Sequence, residues 1–129
     1  MLAINGVDHI NMNVSNLENS LEFYQKLFKN AEVKESGNNG FGRPYAILGL
    51  DGKLFLCLYE DEQSGKDAGA LNHIGINVQN FKETVNSLKG EGLPLLYGGI
   101  VEYPNSQSVY IADPDGNEIE FSSHFGGGL

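Results

Sequence analysis

At 129 residues and 14.0 kDa, with 40% hydrophobic residues, the chain has room for one domain core and one site, and it has no apolar run near the ~20 residues of a membrane span. Its net charge of -9, from 17 acidic against 8 basic residues with Arg43 as the only arginine, argues against nucleic acid and anionic membranes as partners, and more weakly against phosphate-, phosphonate- or carboxylate-rich substrates. Cys57 is the only cysteine and residues 1–6 lack a basic, cleavable leader, so the expectation is a soluble, cytoplasmic chain without an internal disulfide, acting on a neutral or metal-chelating small molecule.

The first predicted strand alternates, with Ile10, Met12 and Val14 on one face and His9, Asn11 and Asn13 on the other. A helix follows, carrying Leu17, Leu21, Tyr24 and Phe28 at helical spacing. Glu35-Ser36-Gly37-Asn38-Asn39-Gly40 reads as a turn-rich connection, leading to strands at 42–49 and 53–60 joined by a Leu50-Asp51-Gly52 turn. The polar stretch 61–69 reads as an exposed linker between a first module, 1–62, and a second, 70–125.

The second module repeats the first. Val7-Asp8-His9-Ile10-Asn11-Met12-Asn13-Val14-Ser15-Asn16-Leu17 returns 64 residues later as Leu71-Asn72-His73-Ile74-Gly75-Ile76-Asn77-Val78-Gln79-Asn80-Phe81. Ile74, Ile76 and Val78 then oppose His73, Gly75 and Asn77, and Phe81, Val85 and Leu88 form the helix stripe. Strands near 95–101 and 108–112, the turn Asp113-Pro114-Asp115-Gly116, a last strand at 117–124 and a frayed glycine tail complete the pattern. Each module thus reads as strand, helix and three strands. At the same offset Glu120 falls on Leu56 and Tyr110 on Ala46, a divergence that points to one composite site rather than two equal ones.

In the last strand Ile119 and Phe121 take the helix side, leaving Glu118, Glu120, Ser122 and His124 on the side shared with His9 and His73. A lone strand histidine is usually structural. Two histidines at one offset, with a carboxylate on the corresponding face, instead make a 2-His-1-carboxylate set that leaves coordination positions open on a divalent ion such as Fe2+, Mn2+, Ni2+ or Zn2+. Tyr110 points to the same face, where a phenol can hydrogen-bond a ligand or donate a proton. Asn11 and Asn77 either orient substrate or bind local backbone, and no role is assigned to Glu118 or His124.

These residues resemble the vicinal oxygen chelate superfamily, which includes glyoxalase I, fosfomycin-resistance proteins, extradiol dioxygenases and bleomycin-binding proteins. The resemblance spans residues 5–124 and rests on Asp8-His9-Ile10, on the segment Leu21 to Phe28, on Asn72-His73-Ile74 and on the segment Tyr110 to Glu120. It implies an α+β fold of two βαβββ modules, with mixed sheets forming an open, barrel-like cavity. It also implies His9, His73 and Glu120 as metal ligands, Tyr110 as a catalytic or supporting residue, and a homodimer in which His9 and His73 meet within a chain or across the interface. The chain departs from glyoxalase I, which has a fourth ligand where Leu56 stands, and from the fosfomycin branch, with Asn11 in place of a threonine. It departs from extradiol dioxygenases too, lacking their histidine near Val101, Glu102 and Tyr103. The expectation is a metal-dependent enzyme of dioxygenase, lyase or isomerase type. The alternatives are a metal-free small-molecule binder, a fosfomycin-resistance-like enzyme and a structural module.

Overall fold

A computed structural model describes residues 3, 7, 9–62, 71, 73–103 and 106–123. The chain divides into two compact units, Met1–Gly65 and Lys66–Leu129. Unit one runs β1 (His9–Val14), α1 (Leu17–Leu27), β2 (Ala31–Asn38), β3 (Pro44–Leu50) and β4 (Leu54–Glu60), with sheet order β1-β4-β3-β2. Unit two runs β5 (His73–Asn77), α2 (Phe81–Gly90), β6 (Val101–Tyr103), β7 (Ser106–Ala112) and β8 (Glu118–Ser122), with order β5-β8-β7-β6. In each sheet the first strand pairs parallel with the last and the other pairs are antiparallel, so both units are mixed βαβββ modules of an α+β fold.

The apolar patterns bury in part: Met12, Val14, Ile74, Tyr24, Val85 and Leu88 are buried as expected, Leu17, Leu21, Phe28 and Phe81 of the helix stripes are half-buried, and Glu118 and Ser122 on the polar side of β8 are buried as well. In unit one Met12, Val14, Tyr24, Ala46, Leu48, Leu56 and Leu58 form the core under α1. In unit two Ile74, Val85, Leu88, Val109, Ile111, Ile119 and Phe121 do the same under α2. Each fully buried leucine or isoleucine contributes about 1.5–3 kcal/mol, so the opposite face of each sheet is free to carry polar side chains. Both helices start on a repeated asparagine. Asn16 Oδ1 accepts the Asn19 N–H at 2.9 Å and Asn80 Oδ1 accepts the Glu83 N–H at 3.1 Å.

Three sequence expectations need correction. Glu35 to Asn38 is not a connection but the end of β2, paired with Ile47, Ala46, Tyr45 and Pro44 after a register shift beyond Val33. An edge strand needs ladder bonds on one side only, which tolerates the glycine and asparagine there. The strand expected at 95–101 shrinks to β6, because Leu96–Gly98 is a 3-10 turn in which Tyr97, Gly98 and then Gly99 all take positive φ (56°, 80° and 112°).

The third correction concerns register. His9 pairs with Phe55 and Asn11 with Cys57, whereas His73 pairs with Glu118 and Gly75 with Glu120, so Glu120 has its counterpart at Cys57, not Leu56. By the same ladders Tyr110, opposite Glu120, corresponds to Ile47, opposite Cys57, and not to Ala46. The repeated Asp-Gly pair misleads because it sits differently in the two hairpins. Asp51 and Gly52, both left-handed, are the centre of a β-turn closed by the Lys53 N–H donating to the Leu50 carbonyl within a three-residue loop, while Asp115-Gly116 closes a longer loop in which the Gly116 N–H donates to the Asp113 carbonyl. Of the expected linker, residues 63–69 lie outside the described residues, as do His124 and the glycine tail.

Candidate functional site

The polar face of unit two gathers ionisable and hydroxyl side chains. β8 lies between β5 and β7, so Glu120 has Gly75 on one side and Tyr110 on the other. Gly75 offers no side chain, and a methyl group there would lie 3.9 Å from Glu120 Oε2, an ordinary contact, so the carboxylate leans over β5 at this position. His73 Nε2 and Glu120 Oε2 are 3.0 Å apart. The second oxygen, Oε1, accepts a 2.6 Å hydrogen bond from Ser108 Oγ, and Ser108 is itself buried on β7. One carboxylate is thereby fixed at both ends, one of them an imidazole.

Tyr110 stands beside this pair. Its ring meets the His73 ring edge-on at 6.0 Å, and its hydroxyl lies 2.8 Å from the Tyr103 hydroxyl. Burial, first, then the Tyr103 hydrogen bond and the negative charge of Glu120 push its ionisation well above the usual phenol range. The phenol is therefore a neutral donor and not a base at ordinary pH. Tyr97 packs edge-on against Tyr110 at 5.2 Å and donates its hydroxyl to Glu118 Oε1.

The remaining predicted residues occupy plainer settings. Asn77 Nδ2 donates to the carbonyls of Ser122 and Ser123, at 3.3 and 3.1 Å, which is the backbone-binding role. His9 and Asn11 lie exposed on β1 in unit one, on the face that also carries Phe55, Cys57 and Tyr59. That face is aromatic and apolar where its counterpart in unit two is acidic and hydroxylic. The Asp-Pro-Asp-Gly turn is structural: Asp113 Oδ1 accepts the backbone N–H groups of Asp115 and Asn117 at 2.9 and 2.8 Å.

Sequence reasoning missed Ser108 and Tyr97. Ser108 was within reach, since it alternates with Tyr110 on one strand face. Tyr97 was not, because its position depends on the left-handed turn. As to a metal, His73 and Glu120 supply one imidazole nitrogen and one carboxylate oxygen on a common face, donors suited to a borderline divalent ion. Among the described residues no group of three His, Cys, Asp or Glu side chains gathers as a metal cluster. No described helix is long and apolar enough to cross a membrane.

Residues 6–121 match the model of the Glyoxalase/Bleomycin resistance protein/Dioxygenase superfamily. The chain is 37% identical, over 88% of its own length and 70% of the relative's, to the trivalent organoarsenical cleaving enzyme of Bacillus sp. (strain MD1). It is 26% identical, over 92% of its length and 82% of the relative's, to the metallothiol transferase FosB of Staphylococcus epidermidis. The crystal structure of the fosfomycin resistance protein FosX from Listeria monocytogenes, complexed with Mn(II) and sulfate, shares the fold with a TM-score of 0.71 at 24% identity, covering 95% of this chain and 94% of that one.

Proposed function

Because the chain belongs to the Glyoxalase/Bleomycin resistance protein/Dioxygenase superfamily, we propose that it is a small metal-dependent enzyme in which His9, His73 and Glu120 hold a divalent ion that chelates vicinal oxygens of its substrate. The observation that carries this reading is the Glu120 carboxylate, held between Ser108 Oγ and His73 Nε2. A carboxylate oriented by a hydroxyl and set beside an imidazole is the usual arrangement of a ligand supported by its neighbours. Relatives with metal in their names or structures, FosB and the Mn(II)-bound FosX, support the same reading. When bound, such an ion supplies Lewis-acid polarisation of substrate oxygens or, as Fe(II), activation of dioxygen. The reaction is then of dioxygenase, lyase or isomerase type.

The protein's own groups have separable tasks. Tyr110, kept protonated, donates a hydrogen bond to the substrate. Ser108 fixes the carboxylate. Asn11 is the better placed of the two asparagines to orient substrate, since the Asn77 amide donates to backbone.

Two activities of relatives transfer poorly. Trivalent arsenic is soft and favours thiolates, and Cys57 is the chain's only thiol. A phosphonate favours arginine, and the only arginine, Arg43, is paired with Asp61 at 2.9 Å. The substrate that fits is a neutral small molecule with adjacent oxygens, handled by a cytoplasmic homodimer. Thermal unfolding in Mn(II), Ni(II), Zn(II) or Fe(II) tests the proposal, since a ligand of the folded state raises Tm as its concentration passes Kd. A rise in wild type that is lost in Glu120→Gln supports it, and no rise with any of the four ions counts against it.

A further inference from the structure

The last strand presents two carboxylates on one face. Glu118 and Glu120 alternate with the buried Ile119 and Phe121, so both project from the side opposite the core. His73 is the direct ladder partner of Glu118, and Glu120 stands two residues further along. By strand position alone, Glu118 is the carboxylate nearer to the imidazole. Yet Glu120 Oε2 lies 3.0 Å from His73 Nε2, while Glu118 is buried and its Oε1 accepts the Tyr97 hydroxyl. His73, Glu118 and Glu120 together do not gather as a group that could hold one ion.

The residue that binds Glu118 is itself unusual. Tyr97 takes φ 56° and ψ 28°, a left-handed conformation that bulky residues rarely adopt. Burial of its ring does not account for the turn, because 64% of its surface stays exposed. What the turn does, continued by Gly98 and Gly99, is set the ring edge-on against Tyr110 and deliver the hydroxyl to Glu118. A hydrogen bond to a carboxylate is charge-assisted and stronger than a neutral one, which suits a fixed tie.

We propose that Tyr97 is a positioning residue that ties Glu118 back, so that a divalent ion at the His73–Glu120 face meets one carboxylate and not two. This rests on the reading of that face as a metal site, and it adds what sets the ligand count there. With neutral imidazoles, one carboxylate leaves the ion a net positive charge and open positions for substrate oxygens. A second carboxylate would cancel that charge and fill one of those positions.

The test uses Mn(II), with affinity read by competition against a chelator and the water molecules on the bound ion read by water-proton relaxation. The proteins are wild type, Tyr97→Phe, Glu118→Gln and the double variant. Tyr97→Phe keeps the ring against Tyr110 and removes only the hydroxyl. It is expected to bind Mn(II) about tenfold more tightly, because affinity rises with the number of charged ligands, and to leave fewer water molecules on the ion. Glu118→Gln and the double variant are expected to match wild type in both readouts, since neither has a second carboxylate to offer. Tyr97→Phe with wild-type affinity and relaxation overturns the inference, and so does weaker binding, which would make Tyr97 a general support of the site. A gain that persists in the double variant, or a loss of binding in Glu118→Gln, overturns it as well. Mn(II) binding by wild type with no change in Tyr97→Phe removes only the tie, whereas no Mn(II) on wild type or any variant removes the metal reading and the tie with it.

Discussion

Ser108 illustrates how much of the site depends on a single small side chain. Its hydroxyl holds Glu120 Oε1 at 2.6 Å and leaves Oε2 directed at His73. Removing such a supporting hydrogen bond typically weakens metal affinity by about 10- to 100-fold. Ser108→Ala is therefore expected to lower divalent-ion affinity by about tenfold in competition with a chromogenic chelator while leaving the fold intact. Tyr110 makes a second prediction. Its phenol ionises above the ordinary tyrosine value in the folded protein, so at pH 10 the unfolded chain releases this proton before the folded one does. Its contribution to stability is full below pH 10 and is lost as pH rises towards the folded value. The difference in absorbance at 295 nm between wild type and Tyr110→Phe is expected to show no phenolate from Tyr110 at pH 10. The urea midpoint of wild type should fall more steeply above pH 10 than that of the variant.

At the scale of elements, the same short signals serve both modules. Asn16 and Asn80 each cap a helix, and each substitution by alanine is expected to cost about 1 kcal/mol, read as an equal shift in the urea midpoint. The alternation of the two opening strands and the helix positions Tyr24, Val85 and Leu88 were legible because burial on one face imposes a period that residue types reveal. Ser36, Gly37 and Asn38 hid the end of β2, because an exposed edge strand imposes no apolar period. The register of the last strand was hidden by turn geometry. A shared Asp-Gly pair aligned Glu120 with Leu56, while the ladders align it with Cys57, a shift that moves a residue to the opposite sheet face. The divergence between modules survives that shift, since Cys57 and Ile47 still stand where Glu120 and Tyr110 are. Tyr97 was illegible for a different reason: nothing in residue type announces a tyrosine at positive φ.

For the whole molecule, the two modules share a backbone plan and differ in what the sheet face away from each helix carries. Unit one offers His9 and Asn11 among Phe55, Cys57 and Tyr59, and unit two offers His73 and Glu120 among serine and tyrosine hydroxyls. A net charge of -9 favours capture of a divalent cation and disfavours anionic substrates. As a homodimer the protein is expected to sediment at twice the 14.0 kDa chain mass, and a species at the chain mass across micromolar concentrations would remove that part of the proposal. The most direct measurement is metal content by mass spectrometry on untagged protein after exposure to Fe(II), Mn(II), Ni(II) or Zn(II), with His9→Ala, His73→Ala and Glu120→Gln alongside. About one ion per wild-type chain, lost in all three variants, is the expected result. Wild-type protein that stays empty with every ion, or variants that bind as wild type does, would contradict a metal held by His9, His73 and Glu120.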